Sequence, residues 1–327
     1  DAYNVAIGHL AGENMTTGPE NTLVGGLAGD ALTTGSGNTA IGYGALSTED
    51  TGGGNTAIGR KALFTQDTGN DAYNTAVGYS AGFAVTTGPY NTLIGGLAGD
   101  AITTGNRNTV LGYNALSTET TGHRSVAIGT GALRLQNGAA TEVYNTAVGY
   151  NAGESMTTGV KNTLLGGLAG DALTIGNNNT ALGYMALSTS VDGDFNTAIG
   201  SSALESYEDG DGNGHNTAVG NSSQLNATTG EYNTSLGSLS MGVGVTTGNS
   251  NVAVGYQSGQ ALTSGSENIT IGQGAGDALT TGTRNVAIGH AALSAEDAYG
   301  KNVAIGYLSL LTLDAGADGY NVAVGYE

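Results

Sequence analysis

The chain repeats one short motif from end to end. An Asn, a β-branched residue, usually Ala, an aliphatic residue and then Gly begin at Asn4, Asn21, Asn38, Asn55, Asn74, Asn91 and Asn108. The same phase is held by Ser125 and then runs from Asn145 to Asn321, nineteen times in all, at a usual interval of 17 residues. A unit this short cannot enclose a core alone, so its copies must stack on one another. Within each unit the alternation of residue types is that of a strand. The spacing therefore predicts an all-β fold, a parallel β-solenoid or β-roll of about nineteen coils of 17–20 residues, forming one continuous repeat domain over 1–327.

Period two puts the β-branched position (Val5, Thr22, Thr39) and the aliphatic position (Ile7, Val24, Ile41) on one face, expected to be the interior, and the small residue between them (Ala6, Ala40, Ala57) on the other. Gly follows in all nineteen units, which implies a corner with a backbone that only Gly adopts easily. Pairs such as Thr16-Thr17-Gly18 and Asp50-Thr51-Gly52 close each coil with turn chemistry. Two subtypes alternate: Ala28-Gly29 with Leu32 before the turn, and Ala45-Leu46 with Glu49 there. The aliphatic residue moves between them and is not lost. A four-coil super-repeat restarts at Asn74 and Asn145 and is regular to about residue 215; from 216 to 327 the pattern loosens. Longer intervals add Asp71 to Tyr73, the stretch from Ala139 to Tyr144, Asp209 to His215, and Ala317 to Tyr320.

Composition agrees with thin stacked layers. There are 59 Gly without a three-residue period, two Pro, and neither Cys nor Trp, which excludes collagen, while the periodic aliphatics argue against disorder. The net charge of −19 would repel a phosphate backbone or an anionic bilayer, so nucleic acid and membrane attachment are not expected. No apolar run is long enough to insert in a membrane. The chain opens at Asp1 without a basic-then-apolar leader and reads as a processed or excised piece.

Coils about 4.8 Å apart would make the stack roughly 90 Å long. A 17-residue coil encloses little volume, so association with further copies is expected to supply buried area. The stripe Ala6, Ala40, Ala57, Ala76, Ala127, Ala147 and Ala198 is the surface expected to permit that close approach.

The strings Asn4 to Gly8, Ser125 to Gly129, Asn285 to Gly289 and Asn38 to Leu46 resemble the YadA-like head repeats of trimeric autotransporter adhesins. They are also similar to the repeats of bacteriophage tail fibres and related surface fibres. The resemblance covers essentially the whole chain. It implies a left-handed β-roll, a parallel homotrimer, an extracellular place on a cell surface or virion, and attachment to a surface glycan or host receptor.

Candidate chemistry is sparse. His9, His123, His215 and His290 occupy different phases of the coil, so no catalytic residue is assigned and the chain is not expected to be an enzyme. Gly52-Gly53-Gly54 lacks the lysine and helix of a phosphate loop. The sharpest local signal is Asp209, Asp211 and Asn213, followed by Gly214, the first half of a calcium loop. The closing bidentate acid is missing, because Gly220 stands in its place, and a solvated acidic loop is the rival reading. Asp192 and Asp194 echo it one coil earlier. Calcium is the one cofactor these residues suggest.

Twelve of the nineteen units carry Thr after the anchor, which raises an ice-binding β-solenoid as the alternative function. Val or Ile in the other seven argues for an interior position. Tyrosines recur after the invariant Gly (Tyr43, Tyr79, Tyr113, Tyr150, Tyr184) and before the anchor (Tyr3, Tyr73, Tyr90, Tyr144), where they serve to cover the roll or clamp sugars. The Asn column itself is read as an amide ladder.

Overall fold

A computed structural model describes residues 3–138, 142–208 and 213–327. It is all-β, nineteen parallel strands of three residues stacked as a β-solenoid, with no helix among the described residues. The contacts group into two compact units, residues 1–161 and 162–327. The first holds β1 (Val5–Ile7), β2 (Thr22–Val24), β3 (Thr39–Ile41), β4 (Thr56–Ile58), β5 (Thr75–Val77), β6 (Thr92–Ile94), β7 (Thr109–Leu111), β8 (Val126–Ile128) and β9 (Thr146–Val148). The second holds β10 (Thr163–Leu165), β11 (Thr180–Leu182), β12 (Thr197–Ile199), β13 (Thr217–Val219), β14 (Thr234–Leu236), β15 (Val252–Val254), β16 (Ile269–Ile271), β17 (Val286–Ile288), β18 (Val303–Ile305) and β19 (Val322–Val324).

Register is strict. Thr39 pairs with Thr56, Ala40 with Ala57 and Ile41 with Ile58, each residue stacked on its own kind one coil on. The longer intervals do not shift it: Thr56 still meets Thr75 and Thr197 meets Thr217. Extra residues are therefore absorbed outside the strands.

The faces are the reverse of the expected assignment. The middle strand residues Leu23, Ala40, Ala57, Ala76, Leu93, Val110, Ala127 and Ala147 are fully buried, whereas the flanking Thr and aliphatic positions are half-buried or exposed. The cause is the anchor. Its amide must point inward, as shown by the complete burial of Asn21, Asn38, Asn74 and Asn91. Alternation then sends the second residue after it inward and the first and third outward. The alanine stripe lies inside each unit and is closed to a partner.

The ladder is built from both ends of the amide. Asn91 Oδ1 accepts the Asn108 N–H at 3.0 Å, and Asn91 Nδ2 donates to the Gly105 carbonyl at 2.9 Å. Asn74 and Asn38 repeat these bonds in their own coils. Ser125 is too short to continue it. Gln136 donates to Ser125 Oγ at 3.0 Å and accepts from Asn145 Nδ2 at 2.9 Å, the second bond being the one that Gln66 makes to Asn74.

Packing is balanced by size within each coil. Where the strand centre is Leu23, the opposite wall is Gly29, on which a Cβ would meet Leu32 at 2.7 Å and Leu23 at 2.9 Å. Where the strand centre is Ala40, Leu46 fills the same space and is fully buried. In the second unit Met241, Leu262, Leu279 and Leu293 continue this wall. The invariant Gly after each strand has a separate cause. Gly25 has φ 139°, and a Cβ there would stand 2.5 Å from the Gly42 carbonyl oxygen of the next coil.

Asn91→Ala would strip the Asn108 N–H of its acceptor and the Gly105 carbonyl of a donor, both in a dry interior. The expected loss is about 2–4 kcal/mol, the cost of two orphaned buried groups. Thr92→Val, one residue on but facing outward, should be close to neutral. Denaturant unfolding of the two variants measures both, and an equal effect would contradict the assignment of faces.

Candidate functional site

Four outward columns make the strand-side surface of each unit. The outermost on one edge is the residue before the anchor, then the Thr or Val column, then the aliphatic column, then the residue after the invariant Gly. The aliphatic column is exposed at Ile41, Ile94 and Leu111 in the first unit and at Leu182, Leu236 and Ile271 in the second. Tyr43, Tyr79, Tyr113 and Tyr150 stand on one edge of the first unit, and Tyr3, Tyr73, Tyr90 and Tyr144 on the other, all exposed. The tyrosines are thus a border to the face and do not shield it.

The residue before the anchor is left-handed in every coil, for example Tyr73 (φ 52°), Tyr90 (φ 65°), Arg107 (φ 56°) and Arg124 (φ 62°). That conformation costs an L-residue roughly 1–2 kcal/mol, and the ladder on the next residue imposes it. Rings and cations stack in the column. Tyr73 and Tyr90 lie parallel at 6.0 Å, Phe195 and His215 at 4.7 Å, and His215 and Tyr232 at 5.3 Å. Five of the eight bases occupy this position of their coils, Arg107, Arg124 and Lys161 in the first unit and Arg284 and Lys301 in the second, although the linear sequence scatters them. On the opposite edge, Arg60 is held between the Tyr43 and Tyr79 rings, 6.0 and 5.7 Å from their centres.

Ion pairs accompany the column. Arg124 and the Tyr144 hydroxyl both donate to Glu142, and these bonds, Arg124 first, hold the Glu142 carboxyl below its ordinary range. Arg284 lowers Glu267 in the same way, and Lys301 lowers Asp318. All are exposed and worth little individually.

Of the proposed calcium ligands, Asp209 and Asp211 lie outside the described residues, and Asn213 is exposed. Asp194 is used within the fold, its Oδ1 accepting the Asn177 N–H. The histidines do not converge: His123 Nδ1 accepts the Asn106 N–H at 3.0 Å, His215 is stacked between rings, and His290 lies on Tyr307. A cleft of about 560 Å³ against the last coil is lined by Leu308, Leu310, Leu311, Ala323 and Val324 and offers little chemistry. No described helix is long and apolar enough to cross a membrane.

Sequence reasoning missed the buried acids. Glu49, Glu119 and Glu296 stand where the other subtype has Leu32, and all three are fully buried. Glu119 Oε1 accepts the N–H groups of Thr120, Thr121 and Gly122, and its Oε2 accepts Gln136 Nε2 and the Gly138 N–H. A carboxylate with five donors is a turn brace, and the acid-Thr-Thr-Gly or acid-Asp-Thr-Gly string was its available signal. Two of these acids have further carboxylates beside them, Glu49 with Asp50 and Asp67, and Glu296 with Asp297 and Asp314, each set close enough to share a cation.

Compared with known proteins, the chain matches no family model and no curated sequence.

Partial burial, Asp50 and Glu49, in that order, raise the Asp67 carboxyl above 3.8. An acid raised on folding loses stability as pH climbs through its folded value. Asp67→Asn should therefore melt higher than the parent at pH 7 and converge with it below about pH 3, where carboxyls are protonated. Thermal melts at the two pH values decide it. A lower melting point at pH 7 would mean that Asp67 is held by something favourable, such as a bound cation, and added calcium would then stabilise the parent alone.

Proposed function

We propose that this chain is a non-catalytic structural and adhesive segment of an extracellular fibre, displayed on a cell surface or virion and assembled as a homotrimer. The observation that supports it is the outward aliphatic column. Every strand of each unit contributes Ile, Val or Leu to it, beside a column of Thr, Val or Ile. Continuous apolar surface of this kind marks an interface. Because each coil would contact its mates, stability would grow with coil number. The interface differs from the one expected from sequence: aliphatic and Thr columns, not alanines, face the partner. The buried acids support a structural role, since their oxygens are occupied by backbone N–H groups.

The alternative is an ice-binding β-solenoid. It is favoured by the outward direction of the Thr column, which removes the argument that its Val and Ile substitutions belong to an interior.

Sedimentation of the purified chain should give the mass of three copies and hold it on about tenfold dilution, as expected for an apolar interface of this extent. Ile94→Lys, placing a charge in the aliphatic column, should release monomers whose circular dichroism is unchanged. A parent that sediments as a monomer overturns the trimer. Thermal hysteresis and faceted ice growth from such a monomer would instead establish the ice-binding reading.

A further inference from the structure

Stacking gathers residues that lie far apart in sequence. In six consecutive coils of the first unit the residue before the anchor is Tyr73, Tyr90, Arg107, Arg124, Tyr144 and Lys161. Each has the same left-handed backbone, so all leave the coil edge in the same manner. The rings are open to solvent, at 55% for Tyr73, 49% for Tyr90 and 44% for Tyr144. The Arg107 guanidinium lies 5.4 Å from the Tyr90 ring centre, and that of Arg124 lies 5.4 Å from Tyr144.

The cations are not spent equally. Arg124 is paired with Glu142, and the Tyr73 hydroxyl donates to Asp71 at 3.2 Å. Arg107 and Lys161 are exposed and have no carboxylate partner among the described residues. In a chain with 27 acidic residues, two unpaired cations in one aromatic column are a local inversion of the prevailing charge.

We propose that this column binds an acidic polysaccharide, a polymer of uronic acid units. The polymer lies along the solvent-open edges and hydroxyls of the stacked tyrosines, whose faces are taken by one another and by the guanidinium groups, and its carboxylates meet Arg107 and Lys161. Guanidinium suits a carboxylate because it offers two parallel N–H donors. Negative charge over the rest of the surface repels the same polymer and confines it to this edge. The ligand is a polymer because the column repeats at every coil, about 4.8 Å apart, and contacts that are weak singly add along a chain. Nucleic acid fits less well: too few cations are free to replace the counterions of its phosphates. The inference rests on the attachment reading and names its ligand class.

Affinity electrophoresis of the full chain in gels containing polygalacturonate tests it, with neutral dextran and single-stranded DNA as the other arms. Retardation by polygalacturonate alone is expected, weakening as salt rises. The double variant Arg107→Gln, Lys161→Gln should bind about tenfold more weakly, one charge-assisted contact or more being lost. Lys161→Gln alone, at an exposed position, should show part of that loss with unchanged circular dichroism. No retardation, equal retardation by dextran or DNA, or unchanged binding by the double variant overturns the proposal. Sedimentation of the same samples separates the two readings. A trimer that ignores polygalacturonate refutes only the ligand, and a monomer that binds it refutes only the trimer.

Discussion

The buried Asn amide is the constraint on which the other features depend. A regular anchor caps a carbonyl of the following coil and accepts the backbone N–H of the following anchor, as Asn91 does with Gly105 and Asn108. A three-residue strand has few ladder bonds of its own. The amide supplies what such a strand lacks, in an interior where unmet polar groups are costly. Once that side chain points inward, the face of every strand residue is decided. Where Ser125 replaces one anchor its own N–H still bonds to Asn108 Oδ1, and its hydroxyl accepts from Gln136.

The rest of the coil adjusts to this fixed wall. The interior is so narrow that Leu at the strand centre, as at Leu23 and Leu93, goes with Gly opposite, at Gly29 and Gly99, where a Cβ would meet that Leu side chain at 2.9 Å. In several coils that lose the second aliphatic residue the vacated place is taken by Glu49, Gln66, Glu119 or Gln136, whose polar atoms are met by turn N–H groups and by neighbours. The strain of the left-handed residue before each anchor is accepted for the same reason. One consequence is functional, because that strained position directs Tyr, Arg and Lys to a common edge.

Much of the architecture was legible in the sequence. The nineteen-fold anchor gave the coil, the strand and the parallel stacking, and Thr-Thr-Gly strings gave the turns. The facing of the strand was not legible from alternation, because period two fixes only which residues share a face. The amide decides between the two faces: the Asn column was legible as a ladder, but that its hydrogen bonds require the interior, and so turn the β-branched and aliphatic residues outward, was not. Glu49 and Glu119 were passed over as polar pre-turn residues, although the turn strings that follow them supply N–H donors to their carboxylates. The basic residues looked scattered because intervals of 17 to 20 residues hide a column that appears only when Arg107, Arg124 and Lys161 are laid in register.

These points join the amide ladder to the outward surface from which attachment and assembly are argued: were the anchors turned outward, the aliphatic column would be core and the aromatic edge would lose its support. Residue-resolved hydrogen exchange of the backbone amides tests the ladder most directly. The N–H groups of Asn38, Asn74, Asn91 and Asn108 bond only to a side-chain oxygen of the preceding coil. If that oxygen is buried and fixed, they exchange as slowly as the strand amides of Thr39, Thr75 and Thr92. Exchange of the Asn amides at the rate of exposed turn residues, with the Thr amides still protected, would contradict the account.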